Sequence, residues 1–307
     1  MNIGMRGFVR FETINKYSGK VTSDTGFFPN KILNAGLNII GSQSSWLTHC
    51  QVGRSGTPPT ATDTSLGDWF AATSNIIETT NGQQGAAPFY GWKRRKWRFG
   101  AGTTEANLFE AAFGYGPGGP GNPDSIISKA LIVDPITQES TSVTPLADEI
   151  LDVTYELRYY PPLGDTLGPQ IMLLDTTYDT ISRAANVTGT DWSNSIGSKI
   201  GILGVSWPAY DGDIGDITTG PNGTGTGNSV SANYTSAYLD NSYQAVMNTN
   251  IGSGYWNVAG GIRSCLIRTT AGAYQTQFNA VGTLGKISKS ALHTMNMNWA
   301  VSWSEFT

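Results

Sequence analysis

Hydrophobic and polar positions alternate along much of this chain, and the alternation is cleanest over residues 150–160. Leu151, Val153, Tyr155, Leu157 and Tyr159 face one way, and Asp152, Thr154, Glu156 and Arg158 face the other. That is the period-2 pattern of a strand with one wet side. The same pattern closes the chain, where Met295, Met297, Trp299, Val301 and Trp303 alternate with Thr294, Asn296, Asn298, Ala300 and Ser302. Near the start, residues 6–14 and 20–28 predict two strands about the turn Tyr17-Ser18-Gly19, where glycine supplies a positive φ. Further strands are expected over 47–52, 74–80, 91–99, 125–133, 171–175, 180–185, 199–205, 261–268, 274–280 and 285–289. One helix is predicted near 30–41: Asn30 follows Pro29 as N-cap, Ile32, Leu33, Leu37 and Ile40 form an apolar face, and Gly41 stops it. Strands with a single apolar face need a second layer, so the expected fold is mainly β: antiparallel β-sandwich modules with one short N-terminal helix.

Composition narrows the class. Of 307 residues, 38 are Gly and 14 are Pro, and the charged fraction is 14%, against about 25% in an ordinary soluble domain. With 39% hydrophobic residues, 9 Trp, 13 Tyr and 11 Phe, the chain is not intrinsically disordered. No stretch approaches the roughly 18 apolar residues of a membrane helix, so no membrane insertion is expected. The opening MNIGMRGFVRFETINKY has no apolar h-region, so no secretory signal is expected. Cys50 and Cys265 lie too far apart in sequence to suggest a disulfide framework or a zinc site.

Pro161-Pro162-Leu163-Gly164 ends the best strand, and the composition shifts there. Residues 1–170 hold 13 basic and 15 acidic residues, whereas 171–307 hold 6 and 8. Two modules are therefore expected: 1–162, a β-rich attachment part carrying the helix, and 163–307, a β-sandwich with long Gly-rich loops. The longest connections are 54–66, 114–124 and 211–231, and loops of this length are commonly functional.

Candidate chemistry is sparse. The glycines of 114–121 lack the Lys-Ser/Thr pair and following helix of a phosphate loop. His49 precedes Cys50, but adjacent strand residues point to opposite faces and cannot share a proton; His293 reads as a packed strand-end residue. Asp211, Asp213 and Asp216 suggest a calcium loop but lack its closing Glu. No catalytic residue, metal or cofactor is assigned.

Two features stand out. Trp92, Lys93, Arg94, Arg95, Lys96, Trp97 and Arg98 hold five of the 19 basic residues. They read as a protein-interface or edge strand whose charges pair with acids or dock on an acidic protein surface. Basic residues interleaved with aromatics could also grip phosphate backbones, but a net charge of −4 argues against nucleic acid. The second feature is the aromatics in Gly/Asn-rich segments: Trp192, Tyr210, Tyr255 and Trp256 are candidates for stacking on a glycan or anchoring a partner, and Trp207 reads as core.

The order of several segments resembles a group of tailed-bacteriophage virion proteins associated with tail, baseplate or fibre. The segments are Phe28-Pro-Asn-Lys-Ile-Leu-Asn-Ala-Gly-Leu37, Cys50-Gln-Val-Gly53, Asp63-Thr-Ser-Leu66, Arg98-Phe-Gly-Ala-Gly102, Asn107-Leu108, Ser128-Lys-Ala-Leu-Ile-Val133, Leu146 to Pro162 and Val301-Ser-Trp303. The resemblance covers about 6–162 and extends loosely beyond. It implies a non-enzymatic structural or adaptor component of the virion (tail, baseplate, neck or fibre attachment), assembled in the host cytoplasm. Such a subunit is expected to be a homo-oligomer held among other virion structural proteins. The alternative is a receptor-binding protein that contacts host surface glycans through its C-terminal loops.

Overall fold

The structure is a computed structural model that describes residues 1–119, 125–173, 175–201, 207–226, 234–280 and 285–306. It is mainly β, with 49% of the residues in strands and 4% helical. The expected antiparallel sandwich is the architecture found. One layer is a nine-stranded sheet whose path runs Tyr234–Tyr238, Gln244–Ile251, Met295–Glu305, Asn2–Asn15, Glu149–Tyr160, Tyr90–Phe99, Ile76–Gln84. Val21–Asp24 and Phe28–Pro29 add to Asn2–Asn15 from the side. Among the described pairings, Asn2–Met5 beside Ser302–Glu305 is parallel and the others between strands are antiparallel.

Two smaller sheets pack on the inner face of this layer. One has five strands in the order Lys31–Ile32, Ile126–Leu131, Glu110–Gly114, His49–Gly53, Trp69–Thr73. The other is built on Thr176–Ala185, Gly272–Ala280 and Ser264–Thr269. Phe113 of the five-stranded sheet stacks on Tyr155 of the large one, ring centroids 4.3 Å apart. On the other side Trp207 meets Trp299 edge to face at 6.4 Å. A single hydrophobic cluster runs through all three sheets, from Val52 and Phe113 through Tyr155 to Tyr274.

The alternation read over 150–160 is the pattern that builds this core. Leu151, Val153, Tyr155, Leu157 and Tyr159 are fully buried. The opposite side departs from expectation: Asp152 and Glu156 are 1% exposed and Thr154 is 6% exposed. That face is dry because long basic side chains from the neighbouring strands lie over it, their stems covering what their charges neutralise.

The helix runs Asn34–Ser42 with Leu33 at the N-cap, three residues beyond the expected Asn30, and no side-chain cap. Lys31 and Ile32 pair with Lys129 and Ser128, which keeps the chain extended past Asn30. Gly36 packs directly on the carbonyl of Ile127, an approach that a side chain would block. The division expected at 162 does not divide the sheet: strands from both sides of it share one layer, and Met295–Glu305 extends Asn2–Asn15. The strand expected over 199–205 lies partly outside the described residues. Over 285–289 only an isolated bridge, Ile262 to Ile287, forms. The strands Trp69–Thr73, Glu110–Gly114 and Gln244–Ile251 carry no clean period-2 signature of their own and were not anticipated.

One long loop has a visible anchor. Glu110, fully buried, accepts the amides of Gly67 at 3.1 Å and Asp68 at 2.9 Å, and pairs with Lys129 at 3.2 Å. Lys129 also reaches Asp63 at 3.0 Å. The segment expected to be an open loop over 54–66 is thus tied at its end to a buried charge pair.

Candidate functional site

The basic strand Tyr90–Phe99 lies one place in from the edge, between Glu149–Tyr160 and the outer strand Ile76–Gln84. Its register against Glu149–Tyr160 sets Arg94 opposite Glu156 and Arg98 opposite Asp152 on the outer face. The Arg98 guanidinium donates to both oxygens of Asp152, at 2.7 and 2.8 Å. Lys96 reaches Glu12 at 2.8 Å, Arg94 pairs with Glu156, and Glu156 also accepts from Arg158 at 2.5 Å. Arg10 joins the row through Glu12 and Asp24.

In general a charge-assisted bond favours the ionised form of the groups it joins. The bond to Asp152 raises the pKa of Arg98. The bond from Arg10 holds Asp24 below the usual carboxylate value. Aromatic rings lie between the cations: Arg158 sits over Phe8 at 4.0 Å and over Tyr90 at 4.5 Å, and Arg94 over Trp92 at 4.7 Å.

The inner face of the same strand is different. Trp97 is fully buried, donates Nε1–H to the Thr48 carbonyl at 3.1 Å and tilts on Phe113 at 5.6 Å. Lys93 and Arg95 alternate with it but stand opposite Leu157 and Tyr155 on one side and Asn81 and Thr79 on the other. Burial lowers the pKa of both, and Arg95 lowers that of Lys93 further. Of the seven residues expected at an interface, three basic ones are therefore neutralised within the chain, Trp97 is core, Trp92 supports Arg94, and Lys93 and Arg95 keep uncompensated charge.

The aromatics expected to meet a glycan divide as well. Trp192 and Trp256 are each 1% exposed, so neither presents a ring to a sugar. Trp192 folds back over Gly272 to meet Tyr274 at 5.4 Å and donates Nε1–H to the Ala185 carbonyl at 3.0 Å. Trp256 donates to the Trp207 carbonyl at 2.6 Å. A buried indole N–H must find an acceptor, and these backbone carbonyls supply one. Tyr210 and Tyr255 remain half-exposed.

A groove that no local spacing could reveal opens where the 164–173 segment, the sheet built on Thr176–Ala185 and Gly272–Ala280, and the strand Met295–Glu305 meet. It encloses about 590 Å³, and its walls carry no acidic or basic side chain. Ile171, Phe278, Met297 and Trp299 form its floor, while Leu167 and Met172 stand 79% and 72% exposed at its mouth. Asn296 and Asn298 line its rim. The Trp299 Nε1–H is buried without an acceptor.

The acidic run has separate uses: Asp213 pairs with Arg263 at 2.7 Å and Asp211 accepts the Thr224 amide at 2.7 Å. Among the described residues no group of three or more His, Cys, Asp or Glu gathers as metal ligands. His49 and His293 each bond a nearby hydroxyl, of Thr48 and Ser290. Among the described residues no helix is long and apolar enough to cross a membrane. Comparison with known protein families, with curated proteins and with solved structures finds no match to this chain.

Proposed function

We propose that this chain is a non-enzymatic structural or adaptor subunit of a tailed-bacteriophage virion, at the tail, baseplate, neck or fibre attachment, working through subunit interfaces as a homo-oligomer. The motif order in its first half supports the phage assignment. The observation that carries the interface reading is the largely apolar groove with Leu167 and Met172 held out at its mouth. Large apolar side chains left together in water mark contact surfaces more often than chance exposure does. A glycan-binding role at a host surface is the second reading; with Trp192 and Trp256 in the core it falls to Tyr210 and Tyr255.

Mass spectrometry and electron cryo-microscopy of purified, salt-washed particles test the assignment. The chain is expected at a fixed copy number, with the groove covered by a neighbouring subunit. Its absence from washed particles overturns the reading. The double variant L167D/M172D is expected to fold with an unchanged melting temperature and to fail to incorporate.

A further inference from the structure

We propose that Lys93 and Arg95 form a binding site for a single oxyanion on the inner face of the large sheet. The argument rests on what surrounds them. On the outer face of the same strand each cation meets a carboxylate, because the register places Glu156 and Asp152 opposite Arg94 and Arg98, and Glu12 within reach of Lys96. On the inner face every cross-strand neighbour is neutral: Leu157, Tyr155, Asn81 and Thr79. Among the described residues neither Lys93 nor Arg95 has an acidic partner.

The two side chains project from the same face two residues apart, about 7 Å along the strand. Both are half-buried, so they pay part of the desolvation of a charge and repel each other without an anion between them. The Arg95 Nε–H is shut off from solvent and has no acceptor, a state that buried donors rarely occupy. The Lys93 ammonium is roofed by Gly197, 3.9 Å from where a β-carbon would stand, so this residue leaves space above the charge. Neither residue is fully buried. A guanidinium paired with an ammonium suits a carboxylate, sulfate or phosphate, which accepts from both donors at once.

The inference goes beyond the virion assignment and stands or falls without it, because its test uses the isolated full-length chain. Thermal unfolding is followed in chloride, phosphate, sulfate and a blocked glutamate peptide at matched ionic strength and pH 7. An oxyanion is expected to raise the wild-type melting temperature by about 3 °C over chloride. The variant K93Q/R95Q is expected to show no such rise, and R98Q, which removes a paired cation of the outer face, is expected to keep it. Should the double variant fail to fold, the single variants K93Q and R95Q are each expected to raise the half-saturating oxyanion concentration about tenfold. Saturation by phosphate at lower concentration than by the peptide supports the site with a free or esterified phosphate as its ligand. The reverse order supports it with a carboxylate side chain of a partner protein. Identical melting in chloride and in all three oxyanions, or a wild-type response in K93Q/R95Q, overturns the proposal.

Discussion

The two faces of the strand Tyr90–Phe99 treat positive charge in opposite ways. Outward, Arg94, Lys96 and Arg98 meet Glu156, Glu12 and Asp152, and the carboxylates lie beneath while the cations lie above, with Asp152 and Glu156 side chains 1–2% exposed and Arg94 and Arg98 43% and 37%. Inward, Trp97 and Phe99 join the core, while Lys93 and Arg95 face neutral neighbours. Five basic residues adjacent in sequence are thus sorted by the pleat into three that are spent on the fold and two that are not. Linear charge density is a poor guide to available charge in a strand, because the period of 2 decides which groups can meet. The chemistry that remains free is carried by the residues that the alternation turns away from the acids.

The sharpest way to break this comparison is to remove the apolar part of the inner face. Trp97→Ala is expected to cost about 4 kcal/mol, since the ring is fully buried against Phe113 and its N–H bond to Thr48 is lost. Urea unfolding measures it, and a loss below about 1 kcal/mol would place Trp97 outside the core. Next in size is Glu156→Ala, which strips the shared carboxylate from Arg94 and Arg158. Deleting one partner of a buried pair costs about 3–5 kcal/mol; with Arg94 43% exposed to screening water, about 2 kcal/mol is expected here. The inner cations should behave in the opposite sense. K93Q/R95Q is expected to leave stability unchanged or raise it by up to about 1 kcal/mol in chloride, because it removes two charges that burial disfavours and that repel each other. A loss as large as that of Glu156→Ala would mean that the two faces are alike.

Much of this arrangement was legible from the chain and some was not, for physical reasons. The alternations over 150–160 and 294–303 identify core strands because each buries one face, and the structure buries the apolar face of both except Met297, which is half-buried. The dryness of the face holding Asp152 and Glu156 was not legible, since it depends on arginines supplied by other strands. The helix start was misplaced because Lys31 and Ile32 are held in a sheet by Ser128 and Lys129, a partner strand far away in sequence. Trp192 and Trp256 read as loop aromatics from their Gly/Asn-rich flanks, yet each loop folds back to bury its indole, and nothing local encodes that return. The parallel pairing of the first strand with the last, and the groove beside it, join segments from opposite ends of the chain and have no spacing signature at all.

The smallest expected effect tests whether the outer row acts through charge. Arg10 grips Asp24 with two bonds, at 2.8 and 2.6 Å, and the Gly26 amide adds a third at 2.8 Å. The guanidinium chiefly, and the amide next, hold the pKa of Asp24 below its ordinary value of 3.8. A carboxyl with a lower pKa in the folded chain takes up protons more readily when the chain is unfolded. Its stabilisation is therefore present above about pH 3.8 and lost as pH falls through the folded value. Both side chains are about one-third exposed, Arg10 32% and Asp24 38%, so the contribution is small, about 0.5 kcal/mol for a pair this open to solvent. Asp24→Asn is expected to lower the melting temperature by about 1 °C at pH 6, and the gap should close towards pH 2 in acid. It should also narrow in about 0.5 M salt, where the Debye length falls to a few ångströms. A gap that holds constant from neutral pH into acid and is indifferent to salt would show that Asp24 acts through the geometry of its turn with Gly26, and that the outer row at this end is held by hydrogen bonding rather than by charge.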